Sequence, residues 1–109
     1  VGSEMCIRDR VRAYAGNCRI LLISPIELGN DVWQEGYDPQ FDAGSPAVSR
    51  NLKYTFAKVA RKHGTDILAA SDHAKPSSID CEHLDENGHN ALARAVEDKI
   101  LSIYGRAAS

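Results

Sequence analysis

Several things this chain lacks already limit what it can do. It has no excess of one charge: thirteen Lys and Arg stand against fifteen Asp and Glu, a net charge of −2. Nucleic acid and anionic membrane surfaces call for a basic excess on one face, so neither is expected as a partner. Long hydrophobic runs are missing as well. The longest, residues 20–23, falls far short of the roughly 20 apolar residues that span a bilayer. Cysteine is scarce and unpaired by spacing: Cys6, Cys18 and Cys81 are odd in number and form no C-x-x-C. That supports neither a disulfide framework nor a zinc ribbon, and makes a reducing compartment the default. Aromatics are only 6% of the chain, yet Trp33, Tyr37 and Phe41 fall in one connecting segment.

The chain also opens without methionine. Val1-Gly2-Ser3-Glu4-Met5-Cys6-Ile7-Arg8-Asp9-Arg10 shows neither two-residue alternation nor a convincing amphipathic stripe, and it lacks the apolar stretch of a signal peptide. It resembles the translated sequencing-adapter tail found at the ends of metagenome-derived reading frames. Residues 1–10 are therefore expected to be a non-native tail, with a native helix start as the alternative, and the fold is read from Val11 onward.

What is present is an ordinary globular composition over 109 residues, 43% hydrophobic and 26% charged. Residues 11–15 look like the last turn of a helix, closed by Gly16-Asn17 in a left-handed cap. Residues 19–24 (Arg-Ile-Leu-Leu-Ile-Ser) form an apolar strand that Pro25 ends; apolar on both faces, it suits a parallel sheet covered by helices. Residues 25–44 make a long connection whose aromatics predict an ordered loop lining something. Ser45 as a hydroxyl cap, followed by Pro46, predicts a helix start. Val48, Leu52, Thr55, Phe56, Val59 and Ala60 mark its inner face, and Arg50, Lys53, Lys58 and Arg61 its outer one. Gly64 ends it, and residues 66–70 form a second short strand. Residues 71–84 are polar and irregular. Asp85 caps a last helix with Leu92, Ala95, Val96, Ile100 and Ile103 on its buried stripe, closed by Gly105; residues 106–109 read as a disordered tail.

Strands alternating with long helices give an α/β chain with a doubly wound, flavodoxin-like parallel sheet. Two strands are fewer than such a sheet needs, so residues 11–105 read as the C-terminal part of one domain. An exposed parallel edge then predicts insoluble expression or a homo-oligomer.

Sites in open parallel sheets form beyond the carboxyl ends of the strands, which directs attention to Ser24 onward and Ser71 onward. In the second segment, Asp80 and His83 stand three apart on a loop leading into the last helix. That spacing can turn a carboxylate onto imidazole Nδ1–H and leave Nε2 free as a base near neutral pH. Asp80-Cys81-Glu82-His83-Leu84, an acidic cap and Gly88-His89 resemble the last block of the SGNH (GDSL-type) hydrolases, in their arylesterase- or lipase-like branch. Residues 20–25, the Trp33 loop, the Ser45-Pro46 helix and residues 75–80 fit the same resemblance, which covers roughly residues 11–105.

The resemblance implies a serine esterase acting on small acetyl or aryl esters, with His83 as general base and Asp80 orienting it. The family's GDS serine block and its glycine and asparagine oxyanion blocks are absent from this sequence, so the chain alone is expected to be inactive. Gly29-Asn30-Asp31 imitates the asparagine block but lacks its intervening residue and follows the wrong strand. Ser24 has no Gly-Asp neighbour, and Ser3 lies in the suspect tail. Trp33 and Tyr37 are candidates for the acyl or alcohol pocket, by location alone. Cys81 stands where the family usually has a small or apolar residue; it reads as a packed thiol, with a reactive thiol as the alternative.

His73, Asp80, Cys81, His83, Asp85 and His89 are dense enough to raise a metal site, but no zinc spacing is present, so neither metal nor cofactor is expected. His89 reads as a helix-surface residue and His63 as a partner for a helix C-terminal dipole. The rival class is a non-catalytic α/β binding module in which Asp80 and His83 merely stabilise their loop.

Overall fold

The structure, a computed structural model, describes residues 2–105. The tail expected at residues 106–109 lies outside them. In chain order the elements are helix α1 (Gly2–Tyr14), strand β1 (Leu21–Ser24), helix α2 (Ser45–His63), strand β2 (Asp66–Ala69), a single 3-10 turn (Ala70–Asp72) and helix α3 (Glu86–Ile103). The chain is α/β: β1 and β2 pair in parallel, Leu22 opposite Ile67 and Ser24 opposite Ala69.

Parallel register and side-chain alternation assign the two faces of the sheet. Leu22, Ser24, Ile67 and Ala69 share the face toward α2, where Phe56 and Ala60 are buried. Leu21, Ile23 and Leu68 share the other. There α3 covers Leu68, 8% exposed, but Ile23 beside it is 41% exposed. Helices thus lie on both faces, as a parallel sheet requires, yet β1 is covered on one face only.

The cap chemistry differs from expectation at two places, Gly16-Asn17 and Ser45. Gly16-Asn17 is not a left-handed cap, since the described glycines with positive φ are Gly36, Gly64 and Gly105. An ordinary turn ends α1 instead, with Ala15 N–H donating to the Val11 carbonyl at 2.7 Å. The residues set aside as a suspect tail are helical from Gly2 onward; Glu4, Met5 and the arginines are good helix formers even without an apolar stripe. Ser45 does not cap α2. Gly44 is the cap residue, Ser45 opens the helix, and the Ser45 hydroxyl accepts from Asp42 N–H at 3.0 Å. Asp42 accepts in turn from Gly44 N–H at 2.8 Å, so an Asx turn feeds the helix.

The other caps form as read. Gly64 adopts φ 67°, a left-handed end for α2. Asp85 accepts from Gly88 N–H at 2.7 Å at the start of α3.

β1 begins at Leu21, two residues later than predicted, and β2 ends at Ala69. Arg19 lies just outside the ladder, and its guanidinium bonds both oxygens of Asp66, at 2.9 and 3.0 Å. The inner face of α2 is rotated from prediction: Val48 is 64% exposed and Thr55 is also outside, whereas Ser49 is buried. A polar residue sits inside because it is fully bonded. Its hydroxyl donates to the Pro46 carbonyl at 2.7 Å and accepts from Leu28 N–H at 2.9 Å. On α3, Ile100, expected on the buried stripe, is 43% exposed.

Candidate active site

The long connection between β1 and α2 is ordered, and its first part faces the Asp80 loop. Leu28 is tied to α2 through Ser49. One residue later, Gly29 N–H donates to the Cys81 carbonyl at 2.8 Å. A Cβ on Gly29 would stand 2.6 Å from the Cys81 Cβ, so only glycine fits. Val32, entirely buried, anchors the same stretch. From the other side, Ser77 N–H donates to the His83 carbonyl at 2.7 Å, and Cys81 N–H donates to the Ser77 carbonyl at 2.8 Å. The Asp80–His83 turn is held from both flanks.

Within the turn one carboxylate does three jobs. Asp80 Oδ1 accepts from the Glu82 and His83 backbone amides at 2.9 and 3.0 Å, while Oδ2 stands 2.7 Å from His83 Nδ1. Cys81 reverses the chain between them at φ 58°, a left-handed conformation that side chains other than glycine adopt reluctantly. The cysteine is buried, a packed thiol as its reading preferred. The His83 side chain is 74% exposed and that of Asp80 39% exposed, so Nε2 is open to whatever approaches.

These contacts move both pKa values. The His83 and Glu82 amides, then the imidazole, hold the Asp80 carboxyl down at about 2 against an ordinary 3.8. Asp80, followed by the Glu82 charge, raises His83 above 6.5. The sign of the linkage follows. A depressed carboxyl stabilises the fold above its ordinary pKa and loses that contribution as pH falls from about 4 through about 2. A raised imidazole stabilises fully below 6.5 and loses its contribution as pH rises through its folded value. The pair is therefore at full strength between those limits, while a free base at Nε2 needs the upper one. Proton NMR should show His83 titrating above 6.5, and Asp80→Ala should return it toward that value; an unchanged midpoint would mean the contact has no influence in solution.

The remaining candidates separate. Tyr37 has its phenol raised above 10.0, the Cys81 thiol being the first cause, but no described hydrogen bond joins its side chain to the Asp80 turn. Trp33 is 45% exposed in a turn after Asp31, and no described hydrogen bond brings it to the Asp80 turn. Ser24 is wholly buried at the end of β1, with a hydroxyl that has no partner. Asn30 Oδ1 accepts from Arg50 Nη1 at 2.9 Å. His73 and His89 are exposed on separate elements, and His63 lies in the last turn of α2. Among the described residues no three His, Cys, Asp or Glu side chains converge as a metal would need, and no helix is long and apolar enough to cross a membrane.

Sequence reading missed a cavity of about 350 Å³ beyond the carboxyl ends of both strands, walled in part by Gly29, Asn30, Arg50, Ser71 and Lys75. Arg50 is exposed, as its place on the outer face of α2 predicts, and it lines this cavity as well. The one available signal was its position beside Ser49, a polar residue in phase with Phe56.

No protein-family model matches the chain, and no curated protein matches it. Its α/β fold, however, is that of solved structures. One crystal structure, 31% identical, superimposes with a TM-score of 0.73 over 81% of this chain and 40% of its own. Two others are from Sinorhizobium meliloti. Est24, a carbohydrate acetylesterase, is 24% identical with a TM-score of 0.65, the match covering 78% of this chain and 39% of that one. A carbohydrate acetylesterase family member is 24% identical with a TM-score of 0.66, covering 80% and 40%. The chain spans about two-fifths of the length of the structures it matches.

Proposed function

We propose that residues 11–105 are the C-terminal part of an SGNH-type serine esterase domain and supply its base and orienting carboxylate. The observation that carries this reading is the 2.7 Å contact of Asp80 Oδ2 with His83 Nδ1, on a turn that leaves Nε2 exposed. The D-x-x-H-L block and the two acetylesterases of matching fold support it. In the complete domain, His83 Nε2 takes the proton of a serine hydroxyl as that oxygen attacks an ester carbonyl. It returns the proton to the leaving alcohol, then activates water to hydrolyse the acyl-enzyme. Asp80 stays ionised and stabilises the imidazolium. The serine and the oxyanion donors belong to upstream sequence, with residues 1–10 standing in place of it, so the 109-residue chain alone is inactive. The substrates are small carboxylic esters, acetyl or aryl, and Trp33 and Tyr37 are the aromatic pocket candidates.

The test is the reading frame extended upstream of Val11, expressed and assayed on p-nitrophenyl acetate. Hydrolysis that a serine-directed fluorophosphonate abolishes is the expected result. An extended protein without hydrolysis would favour the binding-module reading, in which the two backbone amides on Asp80 Oδ1 are the purpose of the pair.

A further inference from the structure

We infer that the cavity beyond the strand ends is an anion-binding subsite for a carboxylate or phosphate group on the substrate, so that the esters turned over at His83 are acidic ones. The inference rests on the esterase reading for its substrate and on the cavity's own chemistry for its ligand. Arg50 and Lys75 outnumber the one acidic wall residue, Glu27. Neither cation has a carboxylate within 4.0 Å among the described residues. Arg50 instead spends one N–H on the neutral Asn30 Oδ1 at 2.9 Å, which fixes the guanidinium and leaves its other donors unused. Because that oxygen accepts from Arg50, the Asn30 amide N–H₂ is left to donate elsewhere. The Ser71 hydroxyl is buried with no protein partner, and Ala74 beside it is 7% exposed.

Two exposed cations and an amide therefore stand around a floor closed by Ala74. These are donors without acceptors, in a space of about 350 Å³, and an oxyanion completes them. The wall is also bonded to the turn that carries the base. Gly29 bonds the Cys81 carbonyl, and Ser77, next to the wall residue Pro76, bonds the His83 carbonyl. A charged group held here places the rest of its molecule along the Asp80 turn.

The experiment titrates this 109-residue chain with inorganic phosphate and, separately, with glucuronate, following backbone amide shifts of Gly29, Asn30, Ser71 and Lys75. Saturable binding is expected, weakened about tenfold by Arg50→Met and again by Lys75→Met, each of which removes a charged hydrogen bond. Lys58→Met, on α2 but outside the cavity, should change nothing. Tighter phosphate binding assigns a phosphorylated substrate, and tighter glucuronate binding an acidic sugar or other carboxylate. Refolding by dilution from urea gives a second readout if the chain associates. Either anion should raise the soluble yield of the native sequence but not of Arg50→Met/Lys75→Met. Absence of saturation, or equal affinity in the Arg50 and Lys75 variants, overturns the subsite. In the extended protein, hydrolysis of neutral p-nitrophenyl acetate without anion binding defeats the subsite alone. Anion binding without hydrolysis defeats the esterase reading alone.

Discussion

Asp80→Asn should lower kcat of the extended protein on p-nitrophenyl acetate by roughly 10⁴-fold while leaving the fold in place. The asparagine Oδ1 still accepts from the Glu82 and His83 amides, so the turn keeps its two backbone bonds. At the position of Oδ2, 2.7 Å from Nδ1, a carboxylate oxygen becomes an N–H₂ donor. The imidazole can meet that donor only by turning Nδ1 into an acceptor, which moves its proton to Nε2. The atom that must receive the serine proton is then already protonated. His83→Ala should lose a similar factor, since residues that act as a unit are not additive, and the double variant should be little worse than either alone. Urea denaturation of Asp80→Asn should stay close to native. A loss below tenfold in both single variants would assign the pair to loop stabilisation.

The second large effect is on stability. Gly29→Ala puts a methyl group 2.6 Å from the Cys81 Cβ and 2.9 Å from its sulfur, closer than non-bonded carbons approach. Relief requires breaking the 2.8 Å bond from Gly29 N–H to the Cys81 carbonyl or moving the Asp80 turn. A cost of about 1–3 kcal/mol is expected, the usual range for overpacking. Cys81→Gly tests the cause. Glycine at 81 removes the obstructing Cβ and also suits φ 58°, so Gly29→Ala should cost far less in that background. A coupling of at least about 1 kcal/mol between the two positions, read from urea midpoints, is the expected signature. Strict additivity would place the cost of Gly29→Ala somewhere other than this contact.

Local grammar in the chain foretold most of the elements. Gly64 and Asp85 announce the end of α2 and the start of α3 because their roles depend on few neighbours: a left-handed φ in one case, a carboxylate reaching an amide three residues on in the other. The Asp80–His83 contact was legible for the same reason, being closed within four residues. What escaped depended on partners distant in sequence. Ser49 is inside only because Leu28 donates to it across 21 positions, and that bond rotates the buried face of α2 away from Val48. Arg50, though exposed, also walls a cavity, where it bonds Asn30 across 20 positions. Gly29 looked like part of a misplaced motif; its real constraint is the backbone of Cys81, which nothing in residues 25–44 could announce.

The seat of Cys81 also gives the protein a record of its own motion. Cys6 and Cys18 stand in solvent, but the third sulfur lies under Gly29, inside the turn that aims His83. A thiol reagent meets that sulfur only in the moments when the two loops part. Alkylation of the third cysteine thus reports how much of the time Gly29 and the Asp80 turn stand apart.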